Sequence, residues 1–357
     1  MPKVVSVKLF QVTTQLPADF VVASTGISRH REHLICELES EDGVVGLGEA
    51  CPLPTFTGET LSEVETIIRK HFAELLIGTD VYRLPRRLEE IKRKYPYHPA
   101  AYAAIDLAYY DLVGKITRLP VTDLLGGGCR ERVPLYKAVG IGSIAEMRRE
   151  ARELVESGFR CIKIKVEGNA TLDCQRVLAI RQEVGDAARL IVDGNEGYSV
   201  GDAIRVGRFL AEAGVAYFEQ PVHRDNLEGL RMVRNAAGIP LMADESLCTL
   251  RDAVRLAETR SVDLFGVKLV KCGGIGPAKQ IIEVANQYAI PVVLISPFET
   301  AIGVAAALQL AATLPDPIEP QGLGTSVVMT GDPFAGLQWE RGEMLVPQGP
   351  GLGVRMK

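Results

Sequence analysis

The chain is short of histidine, carries one tryptophan and has no excess of positive charge, and each shortage removes a class of function. Lys and Arg number 40 against 45 Asp and Glu, a net charge of −5. A phosphate-binding surface normally needs a basic excess, which argues against nucleic acid as the main partner. No apolar run approaches the ~20 residues that span a bilayer, so no membrane partner is expected. The N-terminal MPKVVSVKLFQVTT reads as a strand and lacks the apolar segment and cleavage site of a signal peptide, so a cytoplasmic protein is expected. The 5 histidines form no HxxxH or HxH pair, and the 7 cysteines are odd in number and never in CxxC. That disfavours a disulfide framework and structural zinc, and leaves buried thiols in a reducing compartment.

What is present suits a soluble two-domain chain: 357 residues, 47% of them hydrophobic. Residues 1–50 alternate apolar and polar around a Glu41-Asp42-Gly43 turn, the pattern of an antiparallel meander. Residues 59–117 switch to helical spacing, and Pro99 suits a first helical turn. The Gly126-Gly127-Gly128 run marks a break. From about 133 onward, short apolar runs (PLYKAV, CIKIKV, RLIVD, AYFEQ, PLMADE, LFGVKLV, PVVLIS) alternate with amphipathic segments. Gly158 and Gly214 follow two of those segments, where helix caps belong. Parallel strands buried on both faces follow, with at least seven units and a possible eighth near 317–324. A (β/α) barrel is the best topology and an open doubly wound sheet the lesser one. The tail from Thr330 has no barrel texture and is expected to return to the first domain.

The chemistry lies in polar residues at the C-terminal ends of these strands. Lys163 and Lys165, two apart, point to one side of their strand. Asp193 follows Lys165 by 28 residues, Glu219 comes 26 later, Asp244 25 later and Lys268 24 later. Each step is one βα unit, so the groups converge at one barrel mouth, where barrel active sites lie. Three carboxylates offer hard oxygen ligands suited to Mg²⁺, and no His or Cys accompanies them to suit zinc. Left without a cation, the acids would raise one another's pKa. The plainer alternative pairs them with Lys163, Lys165 and Lys268 in salt bridges. A lysine acts as base only when its pKa falls, and Lys163 beside Lys165 supplies like-charge repulsion. Mg²⁺ on a substrate carboxylate would stabilise the enediolate left by α-proton removal. A Schiff-base lysine aldolase or a non-catalytic binding protein is the rival reading, and both leave the ordered acids unexplained.

These residues resemble the muconate-lactonizing subgroup of the enolase superfamily. The likeness rests on Lys163-Ile164-Lys165, Asp193-Gly194-Asn195, Glu219-Gln220-Pro221, Asp244-Glu245-Ser246, Val267-Lys268-Leu269 and Gly273-Gly274-Ile275. GLGEA at 46–50 and AAIDLAYYDLVGK at 103–115 extend it over nearly the whole chain. The resemblance implies an α/β fold: a modified TIM barrel, (β/α)7β, with an N-terminal α+β capping domain. The expected divisions are 1–128 for the capping domain and its lid loops, 129–325 for the barrel and 326–357 for the returning segment. It implies Mg²⁺ on Asp193, Glu219 and Asp244, and Lys165 and Lys268 as acid/base pair on opposite faces of a small-molecule carboxylate. Lys163 would lower the pKa of Lys165 and touch substrate, with Asn195 and Glu245 behind the ligands. Glu299 and Ser296, after the seventh strand, are expected near the substrate carboxylate, although Glu299 could instead serve the dipole of the helix that follows. A homo-oligomer is expected.

The lid segments Ala23–Arg31 and Pro54–Glu59 should reach over the mouth. There Arg29, His30 and Arg31 either meet an acidic substrate group or form a solvated basic loop. Racemisation, cycloisomerisation and dehydration all fit such a site. GEACPLPTFTGET and FEQPVHRDNLEGL look like dipeptide epimerases, which carry Asp-x-Asp near the eighth strand to hold an ammonium. Here Gly322-Leu323-Gly324 takes that place. Glu319 or Glu299 could substitute for the missing acids. SPFETAIG and GLGT resemble o-succinylbenzoate synthases. The expected substrate therefore lacks a free α-ammonium, because an unpaired cation is poorly held in a desolvated site.

Overall fold

The computed structural model describes residues 1–16, 21–22, 26–27 and 29–357, with the backbone alone at 21–22 and 26–27. The expected lid segment Ala23–Arg31 therefore lies in part outside the described residues. Strands Val4–Gln15, His30–Ser40 and Val45–Ala50 form an antiparallel sheet in that order. Its second turn uses Gly43 at φ 77°, a conformation that glycine adopts without strain. Helix Pro99–Thr117, with proline in its first turn, lies directly on the sheet. The approach requires glycine: a Cβ on Gly48 would stand 1.9 Å from the carbonyl of Ala104. That packing explains the GLGEA string.

Seven parallel strands follow in sequential order: Lys137–Val139, Cys161–Lys165, Arg189–Asp193, Phe218–Glu219, Leu241–Ala243, Leu264–Val267 and Val292–Leu294. Bridges from Leu135 to Gln321 and from Ile295 to Gly322 close the barrel at the eighth position. This is the expected modified barrel, its eighth strand reduced to two residues. Tyr136, Cys161, Ile191, Tyr217, Met242, Leu264, Val293 and Ile295 fill the interior, and their neighbours along each strand face the outer helices. That alternation is what strands buried on both faces require. No described helix is long and apolar enough to cross a membrane. All seven cysteines are free.

Buried acids of the N-terminal part clasp the barrel helices. Glu49 accepts the N–H groups of Thr300 and Gly303, both at 2.9 Å, at the start of helix Ala301–Ala311. Asp106 does the same for Ile275 and Gly276, at the start of helix Ile275–Gln287. Carboxylates are well placed there, where N–H groups lack intrahelical partners. The tail strand Glu343–Leu345 pairs with Gln338–Glu340 on one side and with Arg132–Pro134 on the other, and Leu352 N–H donates to Asp111 at 2.8 Å.

Candidate active site

The strand ends bring six of the sequence-selected groups to one mouth. Lys163 Nζ lies 2.8 Å from Asp193 Oδ2 and 2.7 Å from Glu219 Oε1. Lys165 Nζ is 2.5 Å from the same Asp193 oxygen. Across the barrel, Lys268 Nζ is 2.5 Å from Asp244 Oδ2. Asn195 accepts from Lys165 at 2.9 Å and donates to Glu245 at 3.0 Å, fixing the lysine from behind. Several residues just past the strands hold left-handed backbone: Asn195 (φ 41°), Glu196 (φ 66°), Gln220 (φ 33°) and Phe298 (φ 74°). Strain of this kind concentrates at functional sites.

The electrostatics follow from burial of three acids among lysines. Burial opposes ionisation of Asp193, but Lys163 and Lys165 hold its carboxyl well below the ordinary range. Asp244 is likewise held down by Lys268 and Lys271 against its burial. Burial and the Asp193 charge push Glu219 up to about 8. Burial, with Asp244 and Asp193, pushes Glu245 up to about 7. Lys163 is also buried, yet Asp193 and Glu219 outweigh that and hold it well above the usual lysine value. Lys268 is lowered, by burial and by the neighbouring Lys271 cation. Lys271, which supplies that cation, is a lysine that sequence reasoning missed.

Above these groups opens a cleft whose lining includes Lys163, Lys165, Lys268, Asn195 and Ser296. Arg31 and Phe56 bring the N-terminal part into it, with Phe56 ring 4.3 Å from Lys268 Nζ. Arg224 ties the Pro54–Thr57 turn to the fourth strand, donating to Thr55 O at 2.9 Å and to Glu196 at 2.6 Å. Arg29 and His30 are exposed and do not line the cleft. Glu299 is buried behind Ser296, whose Oγ accepts its N–H at 3.0 Å, and burial pushes its carboxyl up to about 8. The acids at the following helix start are Glu49 and Asp332, so the dipole role considered for Glu299 falls to them. Glu319 is paired with Arg189 at 2.6 Å and also lies outside the lining.

Three further residues escaped sequence reasoning. Lys271 is 2.5 Å from Asp244 Oδ1. Gln220 accepts from Asp244 N–H and Ser246 N–H, both at 3.1 Å, and so places the Asp244 loop. Tyr136 lies beneath Lys163, ring to ammonium 5.5 Å, with a buried hydroxyl that has no partner. The Glu-Gln-Pro string was the available signal for Gln220.

Two clusters could be considered for a metal. Among the described residues, His33, Glu49 and Cys51 bring ligand atoms within 4.8 Å of one another. Their lone pairs are largely engaged, since His33 bonds Thr14 and Glu49 at 2.8 and 2.7 Å while Glu49 clasps the 300–303 turn. That cluster reads as a clamp. Asp193, Glu219 and Asp244 stand further apart, with lysine ammonium groups among them. Their chemistry nonetheless fits a hard divalent cation: all three are oxygen donors, and buried Glu219 Oε2 has no hydrogen-bond partner.

Residues 4–126 match the mandelate racemase / muconate lactonizing enzyme N-terminal domain, and residues 146–357 match the enolase C-terminal domain-like family. The chain belongs to the enolase superfamily, in its muconate-lactonizing subgroup. It is an isomerase of the racemase, epimerase and cycloisomerase group. The L-Ala-D/L-Glu epimerase of Bacillus subtilis is 31% identical over 356 residues, covering 99% of this chain and 96% of that protein. A dipeptide epimerase from Enterococcus faecalis, solved with Mg and L-Leu-L-Tyr, superposes with TM-score 0.94 at 34% identity over 99% of each chain. An N-succinyl Arg/Lys racemase from Bacillus cereus superposes with TM-score 0.95 at 27% identity, covering 99% of this chain and 96% of that one.

Proposed function

We propose that this enzyme moves a proton at the carbon α to a carboxylate, with Lys165 and Lys268 as the acid/base pair. One observation carries the reading: both lysines line one cleft from the second and sixth strands, diametrically opposed in an eight-position barrel. A base on one face takes the α-proton and the ammonium on the other returns one, which inverts the carbon. Asp193, Glu219 and Asp244 would hold Mg²⁺, as the complexes of the neighbours suggest. Bound there, the cation supplies positive charge beside the substrate carboxylate as its α-proton leaves. Lys163 adds fixed positive charge, Asn195 and Glu245 orient Lys165, and Lys271 and burial weaken the hold of Lys268 on its proton. Phe56 covers Lys268 from the lid side, and Ser296 stands in reach of a bound substrate. Residues 1–128 would serve as the cap, 129–325 as the barrel and 326–357 as the strap between them.

The substrate in this reading lacks a free α-ammonium. Gly322 and Gly324 offer no carboxylate, and neither Glu299 nor Glu319 reaches the cleft lining. Dipeptide epimerisation is the second reading, favoured by the names of the relatives, and o-succinylbenzoate synthesis the third. Incubation with Mg²⁺ in D₂O against N-acyl amino acids, dipeptides, muconate and cyclohexadiene carboxylates tests it. Deuterium enters Cα of at least one class. Exchange with none of them would overturn the reading.

A further inference from the structure

A groove of about 450 Å³ runs between the cap helices Leu84–Lys94 and Pro99–Thr117 and the barrel helix Ile275–Gln287. It shares no lining residue with the strand-end cleft. Asp106 is in its lining, a carboxylate only 7% exposed. Oδ1 is occupied, since it accepts the N–H groups of Ile275 and Gly276. Oδ2 has no hydrogen bond and no ion pair among the described residues, and Lys92, whose charge reaches it, is paired with Glu89 at 2.8 Å. Gly276 shows where that oxygen faces. A Cβ there would stand 3.1 Å from Asp106 Oδ2 and 3.8 Å from Tyr110 Oη, so the absent side chain leaves both oxygens open to the groove.

A carboxylate taken out of water is costly unless a cation or a full set of donors meets it. Asp106 falls short of that: burial raises its carboxyl to about 7, and its two N–H donors and Lys92 offset only part of the rise. Glu89 faces it from one cap helix, Tyr109 and Tyr110 from its own and Cys272 from the turn before the barrel helix, and none of these adds positive charge. Arg86 is turned to Glu90 at 3.6 Å, and Lys279 and Glu283, one turn apart on the exposed rim, offset each other. Pro85, Leu88 and Pro277 give the groove an apolar wall. We propose that this groove binds a primary alkylammonium, its nitrogen donating to Asp106 Oδ2 and Tyr110 Oη and its chain lying on the apolar wall. An ammonium carries three donors on one compact charge, enough to serve both oxygens at once. Bound there, the cation holds Asp106 ionised on its two N–H groups and so keeps the cap clasped to the barrel above pH 7.

The test is ligand-observed NMR on the full chain with n-butylammonium, reading saturation transferred from the protein to its methyl group, with n-butanol and butyrate as controls. Butylammonium should bind with a Kd of about 1–10 mM, the range open to a ligand this small, and neither control should bind. Binding should be about tenfold tighter at pH 8 than at pH 6, the change in ionised share of an acid titrating at about 7. Gly276→Ala puts a methyl 3.1 Å from Oδ2 and leaves the charge in place, and it should weaken binding about tenfold or more. Asp106→Asn should do the same while keeping an oxygen for the two N–H groups, and Tyr110→Phe should weaken binding less. At pH 8 the amine should raise the melting temperature of the wild type and not that of Gly276→Ala, which decides the matter even if Asp106→Asn does not fold. No binding to the wild type, equal binding of butanol, or unchanged binding by Gly276→Ala would overturn the site.

Discussion

The Asp106 carboxylate, on the long helix of the cap, accepts the backbone N–H of Ile275, on a barrel helix, at 2.6 Å. The same oxygen takes the Gly276 N–H at 3.2 Å, and a Cβ on Gly274 would stand 2.3 Å from it. The Gly-Gly-Ile string is therefore a docking surface for a buried acid 169 residues away in sequence. Asp106→Ala leaves two N–H groups without that partner and should cost about 1–3 kcal/mol in chemical denaturation, with Asp106→Asn milder. A loss within error for Asp106→Ala would contradict the clasp.

Asp106 also predicts a pH dependence. Burial, only partly offset by its N–H donors, raises it to about 7, above the ~3.9 of a free aspartate. The folded state therefore binds more protons between those values. Its contribution is complete below pH ~4 and declines as pH rises through about 7. Relative to Asp106→Asn, the wild-type melting temperature should fall between about pH 4 and 7 and level off above that; a parallel pair of profiles would show that Asp106 does not carry the effect.

Gly322 and Tyr136 should behave as one unit. Gly322→Ala forces a methyl against the phenol and should cost about 1–3 kcal/mol as overpacking. Tyr136→Ala opens that volume, so the double variant should be more stable than the two single losses predict. Additive losses in denaturant titrations would remove the steric explanation for the missing acid.

Chelation separates the metal reading from an imine-forming lysine. EDTA should abolish α-proton exchange and Mg²⁺ restore it, whereas borohydride with a carbonyl substrate should leave the enzyme active. Inactivation by borohydride with indifference to EDTA would favour the aldolase reading.

Much of this was legible in the sequence because it obeys a period. Asp193, Glu219, Asp244 and Lys268 each fall one βα unit apart, and the alternation that places Lys163 and Lys165 inward is a property of any strand. Lys271 was not legible, since its approach to Asp244 depends on a short helical turn at Leu269–Cys272 that follows the strand. Tyr136 and Gly322 meet only when the barrel closes, 186 residues apart in the chain. The clasp of Glu49 on Thr300 and the position of Arg31 depend on how the cap sits over the barrel, which no local pattern encodes.

The most direct test of two opposed lysines is a stereospecific exchange experiment in D₂O with Mg²⁺ and each enantiomer of a turned-over substrate. Lys165→Ala and Lys268→Ala should each abolish racemisation, and removal of a positioned base typically costs about 10²–10⁴-fold. Each variant should keep deuterium exchange at Cα of one enantiomer, the one its remaining lysine faces, and the two variants should retain opposite enantiomers. Full racemisation by both variants, or retention of the same enantiomer by both, would contradict the assignment of the two bases.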